Sequence, residues 1–225
     1  KTKTIIKSWI EATRLPFITA SAGSVLLGAA MAWGMTNAFD TKMFWLTMLG
    51  TILIHLGANM LNDFYDHITG NDTGNLFYNE LTGGSRIIQK GVFSPEKVLV
   101  SSLILLLSGA GIGFYLNMLL PGNWLLLIGA VGLFLGIGYS TPVLKFSYRG
   151  IGELVVGLAF GMVVTVGTYF VLTDGEFAMV PFIASVPLCI MVFLILFINE
   201  FQDYRADKNS NKNTLLVRIG DKFKA

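Results

Sequence analysis

FAMVPFIASVPLCIMVFLILFIN, residues 177–199, runs without one acidic or basic side chain and then gives way abruptly to EFQDYRAD, residues 200–207. An α-helix needs roughly 20 mainly apolar residues to cross the hydrocarbon layer of a bilayer, so 177–199 reads as a membrane span. Working outward from it, five further runs have comparable length: 17–36, 43–61, 97–119, 124–140 and 153–173. The whole chain is 53% apolar and 13% charged, with a mean hydropathy of +0.65, which is too apolar for a single water-soluble core. The expected fold is all-α: a polytopic transmembrane helix bundle with six spans in this chain, lying in the lipid bilayer as an integral, multi-pass protein.

The links between spans differ in charge. Lys1, Lys3, Lys7 and Arg14 precede the first span; Arg86, Lys90 and Lys97 follow the second; Lys145 and Arg149 follow the fourth; six more lie from Arg205 onward, while Lys42 stands alone in the opposite set. Basic loops stay on the cytoplasmic side, so the N-terminus and the exits of even-numbered spans are expected there. A net charge of +2, dispersed along the chain, gives no nucleic-acid footprint. Cys189 is the single cysteine and excludes an intrachain disulfide. No removable signal peptide is expected, and no protein partner is inferred.

The acidic residues repeat. Asn62-Asp63-Phe64-Tyr65-Asp66 and Asn199-Glu200-Phe201-Gln202-Asp203 both read N-[D/E]-F-x-D, and each stands at the exit of an apolar span. Four spans separate them, so both should emerge on one face of the membrane and can meet. At 3.6 residues per turn, Asn59, Asp63 and Asp66 share a helix face with Asn62 beside them, and Glu200, Asp203 and Asp207 share another. Stacked carboxylates repel one another and call for a cation. Hard oxygen ligands suit Mg²⁺, which typically takes one or two carboxylates and completes its shell with water and substrate phosphates.

These two motifs, with LTGGSRIIQKGVFSP after the first and ADKNSNKNTLLVRIG after the second, resemble the UbiA superfamily of intramembrane aromatic prenyltransferases. The late Asp72, the GGSRIIQKG stretch and YRGIGELVVGLAFG look most like the 1,4-dihydroxy-2-naphthoate polyprenyltransferases of menaquinone synthesis. The resemblance implies Mg²⁺-dependent transfer of a polyprenyl group from an isoprenyl diphosphate to an aromatic acceptor, in a prokaryotic-type cell membrane with the site loops cytoplasmic. Its metal positions fall on Asn62, Asp66, Asp203 and Asp207, with Asp63 and Asp72 close by. Gly70 stands where the superfamily's usual first motif has a further Asp, and Asp72 is expected to substitute. Glu200 opens the second motif in place of Asp. Such proteins usually have about nine spans over roughly 300 residues, so residues 1–225 are expected to be one prenyltransferase domain lacking its C-terminal helices.

A diphosphate leaves readily once its charge is neutralised, and basic side chains should assist the metal. The candidates are Arg86 after Gly83-Gly84, Lys145, Arg205, Lys208 and Lys212; Arg86 and Lys212 stand out because their flanks match the family. Asn59, Tyr139, Tyr148, Asn199 and Glu200 are the candidates for the substrate pocket. His55 reads as a hydrogen-bonded packing residue, and Glu153 as a helix N-terminal acid. Glycines in GAGIGF (109–114) and GAVGLFLGIG (129–138) should let helices approach closely.

Two other readings of the acceptor and class stand beside this one. The acceptor could be 4-hydroxybenzoate, and the acids could serve a transporter's cation site. A transporter wants ionisable residues near the midplane, whereas these acids cluster at helix exits on one side. A CDP-alcohol phosphatidyltransferase would need a D-G-x-x-A-R run, which does not occur.

Overall fold

The computed structural model describes residues 2–37, 39–74 and 84–220. All regular structure among them is helical. An N-terminal helix α1 (Thr2–Thr13) leads through a 3₁₀ turn at Leu15–Phe17 into α2 (Ile18–Thr36), and α3 (Thr41–Ile68) follows. A single turn α4 (Asn71–Gly74) precedes α5 (Pro95–Met118) and α6 (Trp124–Ser140). The next span is composite: α7 (Gly152–Gly157), π-helical turns at Leu158–Val163, and α8 (Val164–Leu172). The long α9 (Met179–Asn209) and the short α10 (Leu215–Ile219) complete the described chain.

Five of these segments are long and apolar enough to cross a membrane, and α6 is a shorter apolar helix. At 1.5 Å per residue its 17 residues reach about 26 Å, somewhat less than the roughly 30 Å of hydrocarbon. The most exposed apolar side chains, such as Leu107, Met179 and Ile183, face outward and suit lipid. This is an integral, multi-pass membrane protein.

Local chemistry sets the helix starts. Asp40 accepts from the Met43 amide at 2.9 Å to cap α3. Ser94 followed by Pro95 opens α5. The helices run past their apolar runs: α3 continues from Leu61 to Ile68 and α9 from Asn199 to Asn209. Both acidic motifs are therefore held on rigid helix and not on loops.

Small residues set the helix spacing. A Cβ at Gly57 would lie 2.8 Å from Leu106 Cγ, and one at Gly109 would lie 2.8 Å from the Gly50 carbonyl oxygen. Ser102 crosses the same seam with a 2.8 Å hydrogen bond to the Gly57 carbonyl. Two turns of α3 thus touch α5 almost backbone to backbone. Gly109→Leu should lower bundle stability by about 1–3 kcal/mol through overpacking. Gly111→Leu, where nothing lies within 4 Å of an added Cβ, should leave it unchanged. Thermal unfolding of the two variants in detergent compares them directly.

Candidate active site

The ends of α3 and α9 meet. Asn71, just after α3, donates to Asp207 Oδ1 at 3.2 Å, and Lys212, just after α9, donates to both carboxylate oxygens of Asp66 at 3.1 and 3.3 Å. Between them lies a polar cavity lined by Asp66, Asp72, Asp203 and Asp207, together with Asn62, Asn71 and Lys212. Residues more than 130 positions apart in sequence thus share one site, as the matched motifs and the even number of spans between them predict.

Asp66 faces the cavity on the same side of α3 as Asn62, whose amide reaches Asp66 Oδ2 at 3.2 Å and Ser140 Oγ at 3.0 Å. Asp63, one position round the helix, faces elsewhere. Its carboxylate receives the Arg14 guanidinium on one oxygen and the Ser85 hydroxyl and amide on the other. The face that Asn59, Asp63 and Asp66 share in sequence is therefore divided: Asp66 lines the cavity, and Asp63 ties α3 to the segment that opens at Gly84.

Gly70 explains the departure in the first motif. It takes φ +76°, a left-handed conformation that glycine adopts without penalty, and the chain turns back after α3. The single turn α4 then presents Asp72 to the cavity. Asp72 is buried and accepts from Gln89 Nε2 at 3.0 Å. Burial, with Asp66 and Asp63 nearby, pushes its carboxyl up to about 7 against the pull of Arg14 and Lys212. Arg86 donates to the backbone carbonyl of Asp72, fixing the turn that carries it. Gly84 lies close by, where a Cβ would sit 3.1 Å from both Asp72 Oδ1 and the Arg14 guanidinium; Gly83 falls outside the described residues.

Lys212 is buried with its ammonium among Asp66, Asp207, Tyr139 and Tyr148. Burial opposes its charge, but Asp66 and Asp207 outweigh that and hold its pKa well above the ordinary lysine value. Two acids fix the segment that delivers it. Glu153 Oε1 accepts the Leu215 amide at 2.8 Å and Glu200 Oε2 accepts the Leu216 amide at 3.3 Å, so both cap α10. Glu200 borders the cavity, yet its carboxylate is engaged by α10. Glu153, read in sequence as an acid of its own helix N-terminus, turns to the N-terminus of another helix.

The other basic candidates stand further off. Lys145 Nζ lies 4.9 Å from the centre of the Tyr148 ring, whose hydroxyl donates to Thr69 Oγ1 at 2.9 Å. Lys208 lies over Tyr204, Arg205 is exposed, and neither lines the cavity.

Below the polar cavity is an apolar pocket, and the two share a rim of Arg14, Asn62, Tyr139, Leu196 and Asn199. Asn59 lines the pocket and donates to the Thr13 carbonyl at 3.2 Å. His55 packs there as expected, bonded through Nδ1 to Ser21 Oγ and set against Phe160 with ring centres 4.4 Å apart.

A carboxylate-lined cavity that calls for a cation and opens into an apolar pocket suits a ligand with a cation-bound head and a hydrocarbon body. A family model described as the UbiA prenyltransferase family matches residues 21–225. The chain belongs to the UbiA prenyltransferase family. It is 31% identical over 216 residues to a 1,4-dihydroxy-2-naphthoate octaprenyltransferase of Bacillus subtilis, covering 94% of this chain and 66% of the relative. The corresponding Haemophilus influenzae protein is 28% identical, with 96% and 70% covered. UbiA prenyltransferase domain-containing protein 1 of Dictyostelium discoideum is 27% identical, with 95% and 64% covered. The chain thus spans about two thirds of the length of these curated relatives.

UbiA prenyltransferases use a divalent metal to bind diphosphate. Among the described residues, no three His, Cys, Asp or Glu side chains are grouped closely enough to hold an ion by themselves. The donor set nevertheless fits one whose shell is completed by phosphate oxygens and water: four carboxylates, hard oxygen donors, face a single cavity.

In the sequence Arg14 is simply one of the basic residues ahead of the first span. In this UbiA chain it is half-buried at the junction of both cavities, with Nε lacking a hydrogen-bond partner among the described residues. Burial opposes its charge, but Asp63 and Asp72 together keep its pKa above the ordinary value. Its position directly before Leu15-Pro16, at the very edge of an apolar run, was the available signal.

Proposed function

We propose that the protein transfers a polyprenyl group from an isoprenyl diphosphate to 1,4-dihydroxy-2-naphthoate in quinone synthesis, with Mg²⁺ as the divalent metal, at the cytoplasmic face of a prokaryotic-type cell membrane. The observation that carries this reading is the convergence of four aspartates and Lys212 on a cavity continuous with an apolar pocket. The names of the relatives from Bacillus subtilis and Haemophilus influenzae support the acceptor.

In this reading Asn62, Asp66, Asp72, Asp203 and Asp207 hold the metal and diphosphate, with Asp63 fixing the neighbouring segment. Mg²⁺ held by these residues would neutralise the diphosphate and so improve it as a leaving group. Lys212 adds a charge-assisted hydrogen bond, while Arg86 keeps Asp72 in place. Arg14, Asn199 and Tyr139 mark the boundary where the aromatic acceptor meets the allylic carbon, with Asn59 just below it in the apolar pocket. The allylic C–O bond breaks and its electron pair leaves on the diphosphate. The acceptor ring then bonds to the allylic carbon, and the carboxylate departs as CO₂, returning its bonding pair to the ring. Placement and charge stabilisation supply most of the rate, and no proton need be removed from the attacked carbon.

The test is incubation of the protein in membranes with Mg²⁺, octaprenyl diphosphate and either acceptor. Prenylated naphthoquinol with an equal amount of CO₂ is the expected outcome. Prenylation of 4-hydroxybenzoate alone, beside its hydroxyl and with its carboxylate retained, would overturn the acceptor; no prenylated product with either would overturn the activity.

A further inference from the structure

The apolar pocket does not end at mid-bundle. A second apolar cavity continues from it between α3, α5, α6 and the π–α8 segment, toward the membrane face opposite the acidic motifs. The two cavities share three residues, Gly136, Ala159 and Phe160. Gly136 belongs to α6, and an added Cβ there meets nothing within 4 Å. The glycine-rich run predicts a helix contact here, whereas Gly136 leaves space open at the junction. Ala159 and Phe160 come from the π-helical turns, where the extra residue per turn shifts the side-chain register. Phe160 is held from behind: its ring packs on His55, which is bonded to Ser21, and its carbonyl accepts the Ser24 hydroxyl.

We propose that Gly136 and Phe160 form a gate that sets which prenyl chain lengths are used, the lower cavity holding the isoprene units furthest from the diphosphate. The proposal rests on the prenyl-transfer reading. With the diphosphate in the acidic cavity, a short tail ends in the upper pocket and a long one must go somewhere. Two destinations are open to it: the lower cavity, lined by residues such as Ile54, Ile112 and Val171, or sideways into lipid. Lipid is as apolar as the cavity, so a tail lying there would give no preference for length at this junction. A tail threaded past Gly136 would depend on the width of the passage.

The measurement is the ratio of kcat/KM for octaprenyl diphosphate to that for geranyl diphosphate, with the same acceptor, in the wild-type protein and two variants. Gly136→Leu fills the open space without a backbone clash and should lower the ratio at least about tenfold. Phe160→Ala widens the passage and should raise it. If Gly136→Leu fails to fold, the rise in Phe160→Ala carries the test alone. A photoreactive group on the far end of an octaprenyl diphosphate should label residues of the lower cavity in the wild-type protein. An unchanged ratio in the folded variants, or labelling confined to lipid, overturns the gate while leaving prenyl transfer standing. A wild-type protein that uses neither donor overturns both.

Discussion

Asp203→Ala is expected to lower kcat for prenyl transfer by about a thousandfold while the bundle stays folded. Asp203 lines the acidic cavity and is only partly buried. Asp66 differs, because both its oxygens hold the buried Lys212. Asp66→Ala should abolish turnover as well, but it leaves an ammonium without that partner in a site where such losses cost about 3–5 kcal/mol. Asp66→Asn, which keeps the volume, is the better companion to Asp203→Ala. Circular dichroism and thermal unfolding establish folding, and single-turnover measurements with octaprenyl diphosphate read the chemistry. Near-normal turnover in Asp203→Ala would remove the α9 motif from the site.

Lys212→Met should raise KM for the prenyl diphosphate about ten- to a hundredfold, the loss expected for one charge-assisted hydrogen bond. The methionine fills a similar space but leaves Asp66 and Asp207 facing each other across the cavity without the ammonium. Stability of the protein without metal should therefore fall by about 3 kcal/mol, and added Mg²⁺ should restore part of it. An unchanged KM would mean that Lys212 serves only to fasten the chain after α9.

The apolar runs and the paired acidic motifs were legible because both depend on short stretches: helix length answers to the hydrocarbon thickness, and N-[D/E]-F-x-D repeats visibly. The fold departs where neighbours in space decide. Helices α3 and α9 outlast their apolar runs because the turns beyond them line one polar cavity and are bridged through Asn71 and Lys212, which hydropathy alone does not register. Asp63 and Asp66 look equivalent on one helix, and only the placement of Arg14 and Ser85 separates them. Glu153 and Glu200 carry no local sign of capping a helix more than a dozen residues downstream of the nearer one. Helix α1 lies outside the apolar runs and was not anticipated; its Trp9 packs against Phe93 with ring centres 4.1 Å apart.

The Lys212–Asp66 pair joins residues 146 positions apart, and this bears on how the protein is made. During synthesis α3 is in place long before Lys212 leaves the ribosome. The nascent chain must then carry Asp66 and its acidic neighbours through insertion without this ammonium, kept wet at the membrane surface until the segment after α9 arrives. Closing so long a loop is entropically expensive for a free chain, but spans already threaded through lipid confine the ends and reduce that expense. The acidic cavity is therefore sealed only after the segment beyond α9 has emerged, well after α3 is in place.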